Sequence, residues 1–168
     1  MATPDDGLVD RFKNVFRDHP AAVTLITAVT PTGPVGLTAS SVSSVAIDPP
    51  AVSFSVTRAT GTAGALLGAD NLQIHFLTPE HAAVAVEFAT SGGNRYADGQ
   101  GWTFDDDGTP RLAGVRNRLT GSIIDTVSVG GSVLVVAQIH SAEPGVPASP
   151  LLYADRVFHA FDAAHAAI

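Results

Sequence analysis

The chain has 168 residues, a formal net charge of −7, no cysteine and a single lysine, Lys13. Without grouped Lys and Arg it lacks the electrostatic footprint of a nucleic-acid binder. Without cysteine it has no disulfide, thiolate nucleophile, iron–sulfur cluster or Cys-ligated zinc. Apolar residues make up 45% of the sequence and charged ones 15%, yet no run approaches the roughly 18 apolar residues of a membrane span. The surplus is expected at a protein–protein interface, that of a homodimer. The opening MATPDDGLVD has no basic segment followed by an apolar core, so a cytoplasmic location is expected.

In chain order, Asp5-Asp6 can cap a helix that places Leu8, Phe12, Val15 and Phe16 on one stripe and closes at His19-Pro20. Ala22 to Val29, apolar with interleaved threonines, reads as a strand. It turns at Pro31-Thr32-Gly33-Pro34 and returns antiparallel from Val35 to Ser40. Ser43–Ile47 and Ala51–Thr57 are two strands about the Asp48-Pro49-Pro50 corner. Thr60 or Thr62 can cap a short helix through Ala69, and Asn71–Leu77 is a strand. Pro79 suits the first turn of a helix continuing from Ala82 to Phe88. Ser91–Gly101, rich in glycine and asparagine, reads as a mobile loop, and Asp105-Asp106-Asp107-Gly108 as a solvated acidic turn. Ile123–Val129 and Val133–Ile139 form a hairpin about Gly130-Gly131-Ser132, and Leu151–Phe161 supplies a final strand or two. The whole reads as one domain over 1–168, mainly β with peripheral helices.

The stretch from Gly33 to Thr62 carries the chemistry. It holds ten serine and threonine residues and only two charges, Asp48 and Arg58. Short uncharged polar side chains let backbone N–H groups and hydroxyls come close to a flat, polar ligand. The same pattern also suits a Ser/Thr-rich edge sheet with no ligand. Self-sufficient catalytic signatures are missing: no G-x-G-x-x-G, phosphate loop, H-E-x-x-H or G-x-S-x-G is found. The six histidines have no metal-ligand spacing, and the acidic turn lacks the EF-hand pattern, so no metal site is expected.

Gly36-Leu37-Thr38-Ala39-Ser40-Ser41-Val42-Ser43-Ser44-Val45 followed by Asp48-Pro49-Pro50-Ala51-Val52-Ser53-Phe54-Ser55 resembles the signature of the flavin reductase family. The resemblance continues in order through Thr60-Gly61-Thr62-Ala63, Ile74-His75-Phe76-Leu77, Glu87-Phe88-Ala89, Arg95-Tyr96-Ala97 and Pro150-Leu151-Leu152-Tyr153, then Arg156 and His159. It implies an FMN-binding split β-barrel, FMN or FAD as cofactor and NADH or NADPH as hydride donor. It also implies service to a separate flavin-dependent monooxygenase. The chemistry then belongs to the flavin, and the protein binds, orients and admits.

By that resemblance Thr38, Ala39, Ser40 and Ser41 lie along the isoalloxazine, while Ser55, Val56 and Thr57 follow the ribityl chain. Arg58, Thr60 and Thr62 meet the phosphate. Phe88, Ala89, Arg95 and Tyr96 belong to the segment that closes over the ring, and His159 points toward the donor side. One departure stands out. Family members typically carry Gly-Asp-His on the turn before their penultimate long strand, and the matching residues here are Gly130, Gly131 and Ser132. That change leaves two readings open: a reductase with an altered donor site, and a non-enzymatic flavin carrier.

Overall fold

A computed structural model describes residues 6–162 of the chain. It opens with helix α1, Asp6–Arg17, which ends just before His19-Pro20. The expected cap at Asp5 lies outside the described residues. Leu8, Phe12, Val15 and Phe16 form the expected stripe, but each is more than half exposed.

The strand expected over Ala22–Val29 is divided at Val23. Ala21–Ala22 (β1) joins a small sheet, and Thr24–Thr30 (β2) enters the main one. Gly33–Ala39 (β3), Ser43–Ile47 (β4) and Pro50–Thr57 (β5) follow as read from the sequence, with a cis Asp48–Pro49 bond between β4 and β5. Helix α2 spans Gly61–Leu67, and Leu72–Phe76 is β6. A 3₁₀ turn at Pro79–His81 leads into α3, Ala82–Ala89. Strands β9 (Asn117–Val129) and β10 (Ser132–Pro144) make a hairpin far longer than expected. Its polar stretches hid it, and two register shifts in the β9–β10 ladder bend it. At Gly121 a Cβ would run into the Gln138 carbonyl, so the bend admits only glycine there. A short hairpin, Trp102–Phe104 (β7) and Pro110–Leu112 (β8), was unforeseen. It turns on the acidic loop, where the Thr109 N–H donates to Asp107 Oδ1 at 2.9 Å. Leu151–Ala154 (β11) and Val157–Ala160 (β12) complete the small sheet with β1.

The main sheet is antiparallel throughout, in the order β3-β2-β6-β9-β10-β5-β4. It curls enough for β3 to approach β5, but it does not close, consistent with a split barrel. Side chains alternate across a strand, so its two faces bury different sets. The inner face encloses Ile26, Val52, Phe54, Val56, Leu72, Ile74 and Val135, with Leu66 of α2 over one end. The outer face carries Leu25 and His75, covered by α3, the β7–β8 hairpin and the β11–β12 sheet through Phe88, Leu112, Leu77 and Leu151.

Candidate functional site

The Thr38–Ser41 segment leaves β3 and runs between β5 and α3. Thr38 Oγ1 donates to the Ala85 carbonyl at 2.6 Å, which ties β3 to α3. Ala39 points into the core, and its carbonyl accepts a bond from Thr24 Oγ1. Ser40 is exposed. Strand β4 pairs only with Pro50–Ser53, so the edge of β5 beyond Ser53 has no strand beside it. Ser41 fills the first gap, its Oγ accepting the Ser55 N–H at 2.9 Å. Ser55 and Thr57 lie on the exposed face of β5. Val56 does not: its side chain is buried in the inner core, and the expectation that it follows a ligand fails for that reason.

Beyond Thr57 the chain turns sharply. Arg58 has φ +54°, a left-handed conformation that costs a non-glycine residue about 1–2 kcal/mol. Its N–H donates to the Gly131 carbonyl at 3.1 Å, so the β9–β10 turn abuts this corner. Thr60 is the N-cap of α2, yet its hydroxyl makes no capping bond. Thr62, inside the first turn, accepts a bond from Arg95 Nη1 at 3.2 Å instead. The simple capping role expected of either threonine is therefore not what the side chains do.

Arg95 links the two helices. Its Nη2 donates to the Phe88 and Thr90 carbonyls at the end of α3, where a cation is favoured, while Nη1 reaches the start of α2. Its Nε is buried with no partner among the described residues. Phe88 and Tyr96 are not cleft walls. They pack edge to face at 5.0 Å, in a cluster with Trp102, beneath β3. Tyr96 Oη donates to the Val35 carbonyl at 2.7 Å, and burial pushes its phenol pKa far up. A Cβ at Gly36 would lie 2.7 Å from the Phe88 ring. The Ser91–Gly101 segment, expected as a mobile loop, is thus pinned by Arg95 and Tyr96, whose side chains supply contacts that the Gly/Asn pattern conceals.

A cleft of about 350 Å³ opens between β3, α3 and the β11–β12 turn. It brings together Thr38, Ser40 and Ala89 of the expected set with Tyr153, Arg156 and Phe158. His159 is not there. It alternates to the opposite side from Phe158, and its Nε2 lies 3.2 Å from the Ala154 carbonyl, so its expected donor-side role is not supported. Asp155 and Arg156 form the two-residue β11–β12 turn with φ +50° and +63°, positions that favour Asn-Gly. In the sequence Arg156 belongs to the terminal part of the resemblance, but nothing there marks it as a cleft residue.

The residues fit a flavin in two respects. The buried, unpartnered Arg95 Nε sits beside Thr62 at the α2–α3 end, where cationic donors suit a phosphate. The cleft beyond it, walled by small residues on one side and Tyr153 and Phe158 on the other, suits a flat ring.

With that geometry in view, the comparisons converge. Residues 16–162 match the Flavin reductase like domain, and the chain belongs to that family. A NADH:FMN oxidoreductase of Rhodococcus qingshengii is 38% identical over 146 residues, covering 84% of this chain and 76% of that protein. The reductase component of a 4-nitrophenol 4-monooxygenase/4-nitrocatechol 2-monooxygenase of Rhodococcus opacus is 32% identical, covering 84% of this chain and 75% of that protein. Among solved structures, a flavin reductase domain protein of Arthrobacter sp. FB24 superposes with a TM-score of 0.83 at 28% identity, covering 92% of this chain and 96% of that one.

Proposed function

We propose that this chain is an NAD(P)H-dependent flavin reductase that transfers hydride from a nicotinamide dinucleotide to FMN or FAD. The observation that carries the reading is the Arg95–Thr62 junction, a guanidinium with a buried, unpartnered Nε whose hydrogen-bond partner Thr90 also lines the ring-sized cleft. Flavin, when bound, supplies the hydride acceptor. The chain's own part is positional. Arg58, Thr60, Thr62 and Arg95 hold the phosphate; Ser55 and Thr57 line the approach at the open edge of β5; Thr38, Ser40, Ser41 and Ala89 border the ring. Ala39 and Val56 anchor β3 and β5 from the inner core, and Phe88 and Tyr96 brace Arg95 from behind. Holding donor and acceptor in stacking distance supplies most of the acceleration such a step needs. No proton-transfer residue is required for hydride transfer itself.

The relative that is a monooxygenase reductase component supports a role in delivering reduced flavin to a separate oxygenase. We further propose that residues 1–168 act as one domain and assemble as a homodimer. Val45 and Ile47 on β4, and Ile124, Val127 and Val129 on the long hairpin, are exposed apolar residues that such an assembly would cover. Sedimentation at micromolar concentration is expected to give twice the chain mass; a monomer alone rejects the dimer.

The second reading, a flavin carrier, is favoured by Gly131 and Ser132, which give the β9–β10 turn no imidazole near Arg58. One experiment separates the two and tests the site. Purified protein saturated with FMN is mixed anaerobically with NADH or NADPH. Bleaching of the flavin band is expected, and a band that persists with both donors supports the carrier. The double variant Thr60→Asp/Thr62→Asp places two carboxylates against the phosphate and is expected to weaken FMN at least a hundredfold by fluorescence titration. Unchanged affinity in the folded variant removes the phosphate assignment.

A further inference from the structure

We propose that a second cleft, between α1 and the β11–β12 turn, receives the adenosine diphosphate half of the dinucleotide donor, with Arg156 holding its pyrophosphate. The proposal rests on the reductase reading above and deepens it. This cleft measures about 310 Å³, at the lower end of small-molecule sites, and its walls include Phe12, Lys13, Phe16, Arg17, Tyr153 and Arg156. Tyr153 and Arg156 also line the flavin cleft. The two spaces therefore meet at one turn, and a donor whose nicotinamide stacks on the flavin in the first can pass its charged linker over that turn into the second.

The chemistry of the walls selects that ligand. Phe12 and Phe16 lie 4.9 Å apart, centroid to centroid, and present their rings on the open side of α1. Aromatic faces beside a cationic groove are how proteins hold a base together with its phosphates. In a chain of net charge −7 with nine basic residues, three of the nine line this one cleft. Two of those are offset: Lys13 lies 4.0 Å from Asp10, and Arg17 lies 3.4 Å from Asp155. Arg156 has no hydrogen bond or ion pair among the described residues, and it occupies a left-handed position at φ +63°. Backbone strain at a binding turn points to a residue retained for what its side chain does. The Asp155 N–H, bonded to the Arg17 carbonyl at 2.7 Å, locks the turn against α1 and fixes where that guanidinium projects.

The test uses the full-length protein saturated with FMN, which blocks the flavin phosphate site, and ADP as probe in a calorimetric titration. Arg156→Gly suits the turn's conformation and is expected to fold. It should weaken ADP at least tenfold and raise the KM for the dinucleotide donor about tenfold, with a much smaller effect on kcat. Arg156→Lys should recover part of the ADP affinity, and Phe16→Ala should weaken ADP several-fold. No measurable ADP binding to the native protein, or equal binding to Arg156→Gly, overturns the proposal. So does a Phe16→Ala protein that sediments as monomer while binding ADP normally, since α1 would then be a subunit contact. Arg156-dependent ADP binding in a protein whose flavin neither NADH nor NADPH bleaches would overturn the reductase reading and leave the adenylate cleft standing.

Discussion

The inner face of the seven-stranded sheet is closed by hydrocarbon, from Phe54 and Val56 on β5 to Leu72 and Ile74 on β6, with Thr24 bonded to a carbonyl at its margin. The outer face is closed by a layer that mixes apolar and polar groups. His75 meets Thr27 Oγ1 at 3.2 Å, Gln73 accepts from Thr120, Arg118 pairs with Glu143, and Tyr96 bonds a β3 carbonyl. The contrast separates two tasks. The inner core holds the barrel together by area removed from water. The outer layer fixes directions, because each polar group must keep its partner or lose more than the bond was worth. Arg95, α3 and the floor beneath β3 belong to that outer layer, so the candidate site is aimed by it rather than by the inner core.

The largest test of this division is Phe54→Ala. Phe54 is fully buried in the inner face, and truncating such a ring costs about 3–5 kcal/mol through lost transfer energy and the cavity left behind. Chemical denaturation should report that loss, while FMN affinity of the folded fraction should stay within about threefold of the native value. A large fall in affinity in a protein that remains folded would mean that the inner core, too, sets the site.

The same division explains how much could be read from sequence. Inner-face positions on β2, β5 and β6 carry apolar residues at every second place, and those strands were legible from Ala22 to Leu77. The hydroxyl-rich block was legible as a cradle because its residue types are unusual together. The outer layer left no such period. Trp102–Phe104 and Pro110–Leu112 are too short to show alternation, and the start of β9 carries Arg118, Thr120 and Ser122, whose partners are 18 to 47 residues away in sequence. For Val56 and Phe88, position in a motif could not say which way the side chain faced. Arg156 was missed as a site residue because only the turn's positive φ distinguishes it from a solvated arginine. His159 was over-read for the converse reason: one step along a strand turns it away from the cleft.

A smaller and more specific test concerns His75. Burial, aided by the nearby charges of His81 and Arg111, holds its pKa down at about 3 against an ordinary 6.5. The folded protein therefore keeps this imidazole neutral at pH values where the unfolded chain protonates it. Between about pH 6.5 and 3 the unfolded state binds more protons at this site, so its contribution to stability falls as pH falls. The slope from one such group approaches 1.4 kcal/mol per pH unit. Carboxylates elsewhere also titrate in this window, so the comparison is between native protein and His75→Gln, which shares them. The variant is expected to be less stable near neutrality, where Thr27 and Trp102 lose a fitted partner. Its stability should decline less steeply from pH 6.5 to pH 5, so that the two curves converge. Parallel curves would mean that His75 takes up its proton in the folded state. The outer layer would then hold His75 as a cation, as it already holds Arg95 and Arg118, and burial would not be what sets its charge.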